Sequence, residues 1–196
     1  MYFYIFFVVY VANHFSNGLI FETNPLDENK ELIGSALPQL MNYFNVNKKD
    51  TKGMKLEEFA NMLKELDWVQ KIPHETIEIL FIRLTRDIDG LMNFDQFKKI
   101  ATLCIRIYEE KFENHFKIYS NNVNEMTLKK LKIALNKIIK LEYTNTSLIK
   151  LMNHFEGEGA QVISMEAFRN ILGFLLRNIL NIKKLESIDN IHVLFR

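Results

Sequence analysis

The chain has 196 residues, with 25 basic and 24 acidic side chains and a formal net charge of +1 at pH 7. This length suits one or two small globular domains. The near-neutral charge argues against a nucleic-acid partner, because the chain has no excess of basic side chains to neutralise phosphates. The single cysteine, Cys104, excludes an internal disulfide. It stands among apolar residues at helical spacing, which predicts a buried thiol.

The first predicted element is an unbroken apolar run from Tyr2 to Ala12. The run is too short to span a hydrocarbon core as a helix, which needs about 20 residues. Its length is typical of the apolar region of a secretory signal, and the small residues Ser16 and Gly18 follow it. We therefore predict a signal peptide over residues 1–18 and a secreted or secretory-pathway protein. The alternatives are a cytoplasmic chain in which the run packs on the body and a chain attached to a membrane by it.

From Ser35 onward, apolar residues recur at spacings of three and four, which predicts amphipathic helices. They form a series of helix–loop–helix units, each loop ending in the pattern apolar–x–apolar–x–x–(Phe or Leu). The first apolar position of this pattern is Met54, Met92, Met126 or Ile163, and the separations are 38, 34 and 37 residues. A repeat of this length holds two helices and two connections, so it indicates tandem copies of one unit.

The loop of the second unit runs from Thr85 to Gln96 and has oxygen-bearing side chains at alternate positions around Gly90. This spacing resembles the loop of an EF-hand, which holds calcium with oxygen ligands at positions 1, 3, 5, 7, 9 and 12 and has glycine at position 6. The resemblance implies the metal ligands Thr85, Asp87, Asp89, Leu91 through its main chain, Asn93 and Gln96. Thr85 and Gln96 stand where the family has carboxylates. Because calcium affinity follows carboxylate number, we expect at most weak binding, with a dissociation constant in about the millimolar range or worse.

The other three loops depart further from the EF-hand pattern. In the first, Glu58 keeps position 12, but three lysines crowd the loop. In the third, Lys130 takes position 12, and an ammonium group offers no oxygen to a cation. In the fourth, Glu156 and Glu158 match positions 1 and 3, whereas Ala167 takes position 12. We therefore expect no calcium at these three loops, and no other cofactor is implied.

The resemblance covers residues 35–180 and implies an all-α, two-lobe EF-hand fold. Each lobe would be a pair of helix–loop–helix units that share a short two-stranded ribbon, joining Met54 to Met92 and Met126 to Ile163. The implied divisions are an N-terminal extension at 19–34, a first EF-hand pair at 35–107, a second pair at 108–180 and a C-terminal tail at 181–196. The helix that follows the second loop has no breaker. It therefore either continues into the third unit or bends near Tyr108.

The sequence contains no motif that indicates an enzyme. The five histidines lack metal-binding spacing, and no glycine-rich phosphate loop is present.

In EF-hand sensors, calcium opens the lobes and exposes an apolar groove. Only the first loop of this chain keeps the position-12 glutamate, and three lysines crowd that loop. The lobes should therefore stay in one state. We predict a non-enzymatic protein-interaction module that has largely lost calcium binding, with a protein or an amphipathic helical peptide as partner. The alternative is a weak calcium-binding protein that uses the 85–96 loop. Membrane contact is expected only if the N-terminal run is retained.

Overall fold

The computed structural model of the chain describes residues 19–64, 72–140 and 142–187, with side chains described as far as residue 178. The apolar run from Tyr2 to Ala12 and the predicted signal peptide at 1–18 lie outside the described residues. So does the end of the predicted C-terminal tail. None of the helices in the described part of the chain is long and apolar enough to cross a lipid bilayer.

The chain is mostly helical, at 66%, with seven α-helices and one two-stranded antiparallel sheet among the described residues. This content agrees with the predicted all-α class. The helices are α1 (Leu37–Asn47), α2 (Leu56–Lys64), α3 (His74–Thr85), α4 (Phe94–Ser120), α5 (Leu128–Ile139), α6 (Asn145–Glu156) and α7 (Met165–Ser187). The strands are β1 (Met126–Thr127) and β2 (Val162–Ile163), and a 3-10 turn at Gly34–Ala36 precedes α1.

The helices begin and end where local chemistry allows. Pro38 lies in the first turn of α1, where a missing N–H costs nothing. Thr144 caps α6, because its hydroxyl oxygen accepts the backbone N–H of Ser147 over 3.1 Å. Both α3 and α5 end at a left-handed residue, Arg86 with φ 65° and Lys140 with φ 60°, the conformation that commonly closes a helix.

The chain forms two compact units. Of the described residues, the first unit holds Leu19 and 24–111, and the second holds 20–23 and 112–187. The division falls within α4, which is helical without interruption from Phe94 to Ser120.

The 24–111 unit is built around buried aromatic side chains. The ring centroid of Phe97 lies 5.2 Å from that of Phe44 and 6.1 Å from that of Tyr43. Two of the predicted ribbon residues join the two loops of this unit. Met54 and Met92 form an antiparallel bridge, in which each backbone N–H donates to the other's carbonyl oxygen over 2.9 Å. Both methionine side chains are fully buried.

The 112–187 unit has the same arrangement of loops. Strand β1 pairs with β2, with Met126 opposite Ile163 and Thr127 opposite Val162. In the same unit, the ring centroid of Phe116 lies 5.6 Å from that of Phe168, and both side chains are buried. The two pairings that the resemblance implies, Met54 with Met92 and Met126 with Ile163, are therefore confirmed.

Candidate functional site

The six predicted calcium ligands lie between Thr85, the last residue of α3, and the first turn of α4. The Thr85 hydroxyl oxygen is 2.9 Å from the carbonyl oxygen of Phe81 and 2.6 Å from that of Asp87, so it already has partners inside the protein. The chain then turns at Arg86, whose φ is left-handed. Gly90 does not have a left-handed φ, although the resemblance places the sharp turn there. The space beside Gly90 is tight, because a Cβ there would lie 3.0 Å from the Cβ of Thr85.

The two aspartates occupy the exposed part of this loop. An Asp87 carboxylate oxygen accepts the backbone N–H of Asp89 over 3.1 Å, a local turn that aspartate commonly makes. Both side chains are exposed to solvent. No group of three or more His, Cys, Asp or Glu side chains able to hold a metal ion occurs in the described residues. Of the six predicted ligands in the 85–96 loop, only Asp87 and Asp89 have carboxylates.

The last two predicted ligands form the start of α4. The Asn93 side-chain oxygen accepts the N–H of Gln96 over 3.0 Å, and the Gln96 side-chain oxygen accepts the N–H of Asn93 over 2.8 Å. This reciprocal pair is the capping box of a helix N-terminus. The Gln96 amide nitrogen also donates to the carbonyl oxygen of Leu84 in α3. Gln96, at the ligand position 12, thereby connects the helix that leaves the loop to the helix that enters it.

The first loop contains a comparable connection made by Glu58, which is 6% exposed. One of its carboxylate oxygens accepts the backbone N–H of Lys49 over 3.2 Å, and the other accepts that of Lys55 over 2.8 Å. Lys49 follows α1 and Glu58 belongs to α2, so the carboxylate spans the loop. Its negative charge is stabilised by these two donors.

In the third loop, the ammonium group of Lys130 in α5 donates to the carbonyl oxygen of Ser120, the last residue of α4, over 2.9 Å. In the fourth, an oxygen of Glu156 accepts the backbone N–H and the hydroxyl of Ser164, each over 2.9 Å. The Ser164 hydroxyl oxygen in turn accepts the N–H of Ala167 over 3.2 Å, at the first turn of α7. Ala167, at position 12, has no side-chain oxygen with which to join the two sides of this loop. Glu156 joins them instead, through Ser164.

We call these four bonds the loop-closing contacts: Gln96 to Leu84, Glu58 to Lys49, Lys130 to Ser120 and Glu156 to Ser164. Each joins the two sides of one loop through protein atoms. The sequence did not indicate these contacts, because the residues at position 12 were interpreted only as possible cation ligands and Glu156 stands at position 1. A donor side chain at that position, as in Gln96 and Lys130, was the available signal, since a donor can bind a carbonyl oxygen of the entering helix directly.

The predicted buried thiol is confirmed, since Cys104 is buried in α4 with 8% of its surface exposed. Burial raises the pKa of the Cys104 thiol from 9.0 to about 11, because the charged thiolate is poorly solvated there. The same cause raises the pKa of Tyr143. At neutral pH the Cys104 thiol is therefore protonated and a weak nucleophile.

No protein-family model matches the chain, and no curated protein matches it either.

Proposed function

We propose that the chain is a two-lobe EF-hand-like protein that has largely lost calcium binding and acts as a protein-interaction module. Two features support the EF-hand-like frame. The repeat places four helix–loop–helix units in series, and the loops associate in pairs through Met54 with Met92 and through Met126 with Ile163. Pairing of two loops through a short antiparallel ribbon is the arrangement that the resemblance implies.

The loop-closing contacts are the observation that carries the loss of calcium. In an EF-hand sensor, the ion draws the position-12 side chain toward the loop and so changes the angle between the helices. Here a hydrogen bond already spans every one of the four loops. An ion would have to replace these bonds, and in the third loop it would also meet the positive charge of Lys130. The lobes should therefore stay in one state whatever the calcium concentration.

The interaction role is supported by apolar side chains that remain in contact with solvent on two helices of the 24–111 unit. In α4, Leu103 is 48% exposed and Ile107, one turn later, is 41% exposed. In α3, Ile79 is 52% exposed and Ile82 is 39% exposed. Apolar residues repeated along one side of a helix suit a protein or amphipathic-helix partner. The near-zero net charge favours such a partner over nucleic acid.

The second candidate, a weak calcium-binding protein, is favoured by one observation. Asp87 and Asp89 are exposed in the same loop, two residues apart, at the spacing that EF-hand ligands have. The two candidates differ in what calcium does to the protein. Under the first, calcium changes nothing. Under the second, it binds weakly and raises the melting temperature by mass action.

Calorimetric titration of the full chain with calcium tests the proposal. We expect no heat of binding and no change in melting temperature at about 1 mM calcium, the weak end of EF-hand affinities. The matched control is the double variant Thr85→Asp and Gln96→Glu, which restores carboxylates at positions 1 and 12 and should gain calcium binding. Binding by the natural chain with a dissociation constant of about 0.01 mM or below would overturn the proposal. A millimolar signal that Asp87→Ala removes would establish the second candidate instead.

A further inference from the structure

A short N-terminal piece of the chain, residues 20–23, lies against α7 of the 112–187 unit. The guanidinium group of Arg169 donates through Nη1 to the carbonyl oxygen of Phe21 over 3.0 Å and also to that of Glu22. Arg169 is 2% exposed, and its guanidinium carbon lies 5.4 Å from the ring centre of Phe112. A buried guanidinium is stable only when its donors have acceptors. The Phe21 and Glu22 carbonyl groups are two of those acceptors.

Gly173 lies one helical turn after Arg169 and allows the segment to approach the helix axis. A Cβ at Gly173 would lie 2.5 Å from the carbonyl oxygen of Phe21 and 3.1 Å from that of Glu22. No real Cβ tolerates the first distance, so any other residue would push the segment away. Glycine in a helix interior is unfavourable by propensity, and this close approach gives a reason for it.

Arg177 lies one turn further along the same face and contacts the side chain of Glu22. Its Nη1 is 2.9 Å from a carboxylate oxygen of Glu22. Residues spaced by four lie on one side of a helix. Arg169, Gly173 and Arg177 therefore form one continuous stripe, which we call the α7 stripe. In this stripe, Arg169 donates hydrogen bonds to main-chain carbonyls, Gly173 has no side chain to keep the segment away, and Arg177 pairs with a carboxylate.

The segment that the α7 stripe holds has a matching pattern. Ile20 is 1% exposed and Phe21 is 5% exposed, whereas Glu22 and Thr23 are exposed to solvent. The hydrogen bonds from Arg169 to Phe21 and Glu22 go to main-chain oxygens, which a segment of any sequence supplies. The preference of the α7 stripe for a particular sequence comes from two features of the segment. These are the burial of the Ile20 and Phe21 side chains and the ion pair between Arg177 and Glu22. The chemistry suits any short segment with two apolar residues followed by an acidic one.

We propose that the α7 stripe is a peptide-binding site, that Ile20–Thr23 is its resident ligand, and that a partner segment with the same apolar–Phe–acidic pattern binds by displacing it. The proposal deepens the interaction role proposed above, because it names one binding site and the kind of segment that fits it. A tethered ligand acts at an effective concentration of about millimolar. The resident segment therefore keeps the site closed to weak competitors in the free protein.

Peptide exchange on the full chain tests this proposal. The probe is an acetylated synthetic peptide with the sequence Leu-Ile-Phe-Glu-Thr-Asn and a fluorescent label, followed by anisotropy in the presence of a calcium chelator. The main variant is Glu22→Lys, which sets a lysine beside Arg177 and weakens the resident segment. Because the Glu22 side chain is 49% exposed, this variant leaves the core intact. The second variant, Phe21→Ser, weakens the resident segment through its apolar contact.

We expect the peptide to bind Glu22→Lys at least about tenfold more tightly than the natural chain, since the resident competitor is weaker. A control peptide with lysine in place of the glutamate should lose this gain. Adding Gly173→Leu to the Glu22→Lys variant should also abolish binding, while circular dichroism reports whether the helices remain.

Equal peptide affinity for the natural chain and for both weakened variants would overturn the proposal. Unfolding of Glu22→Lys would overturn it too, because the segment would then be a fixed part of the core. Either failure leaves the calcium titration unaffected, since the exchange is measured with the ion removed. Conversely, tight calcium binding would overturn the proposed loss of calcium and leave the exchange result standing.

Discussion

The side-chain nitrogen of Lys130 lies 2.9 Å from the carbonyl oxygen of Ser120 and joins the first turn of α5 to the end of α4. Ser120 is fully buried, so its carbonyl oxygen has little access to water. A buried carbonyl needs a partner, and the ammonium supplies one. The EF-hand resemblance implies a calcium-binding glutamate at this position. Lys130 instead places a positive charge there and binds a carbonyl oxygen directly.

Replacing Lys130 by alanine should lower the free energy of unfolding by about 1–3 kcal/mol, because it leaves the Ser120 carbonyl without this charged donor. Urea denaturation in a calcium chelator measures the change. Lys129→Ala is the matched control, since Lys129 is an exposed neighbour on the same helix and should cost about 0.5 kcal/mol or less. Lys130→Gln should lose less than Lys130→Ala, because its amide keeps a donor. Equal losses for Lys129→Ala and Lys130→Ala would show that the bond does not contribute.

Glu58 provides the same test at the first loop with the opposite charge. Glu58→Ala removes the acceptor of two backbone N–H groups and should lower the free energy of unfolding by about 1–3 kcal/mol. The neighbouring Glu57→Ala should have little effect, because Glu57 is exposed. The loss should be the same with calcium and with a chelator. A loss that appears only when calcium is present would identify Glu58 as a metal ligand instead.

Gly53 precedes the bridge between the two loops of the 24–111 unit and lies close to the opposite backbone. A Cβ at Gly53 would be 2.6 Å from the carbonyl oxygen of Met92, which is the acceptor for the Met54 N–H. Gly53→Ala should therefore break the bridge and destabilise the protein by about 2 kcal/mol or more. Thermal melting compares it with Gly34→Ala, where a Cβ meets no atom within 4 Å. If both variants melt alike, the Met54–Met92 bridge is more tolerant than its geometry implies.

The pairing of loops was implied by the EF-hand resemblance, in which the apolar residue at position 8 of one loop pairs with that of a second loop. Spacing along the sequence identified these residues, and Met126 does lie opposite Ile163. The helices were predictable for a similar reason, since apolar residues at spacings of three and four select one buried face.

The loop-closing contacts and the α7 stripe were not predictable in the same way. Both depend on where long polar side chains point after the fold has formed. Arg169 follows Phe168 within an apolar stripe, and its acceptor, the Phe21 carbonyl, is 148 residues away in sequence. No periodicity links a side chain to a main-chain oxygen at that separation. Gly173 shows the same limit, because its role depends on the nearby Phe21 backbone and not on its own φ angle.

Cys104 makes the stability of the protein depend on pH in the alkaline range. Burial raises the thiol pKa from 9.0 to about 11, so the unfolded chain loses this proton at a lower pH than the folded chain does. The contribution of the thiol is therefore fully present below pH 9 and is lost as the pH rises through 11. A difference of this size corresponds to at most about 3 kcal/mol. Denaturant unfolding at several pH values should show a falling free energy of unfolding across this range.

The variant Cys104→Ala should flatten this decline, even if it lowers stability equally at every pH by leaving a small cavity. Tyr143→Phe is the matched control, because burial also raises the pKa of Tyr143. Removing its hydroxyl group should abolish a separate part of the decline in the free energy of unfolding with pH. In the folded protein at pH 8, the thiol should react with an aromatic disulfide reagent far more slowly than in denaturant, since reaction needs an accessible thiolate. Parallel pH curves for Cys104→Ala and the natural chain, or fast labelling of the folded protein, would show that the thiol is accessible to water.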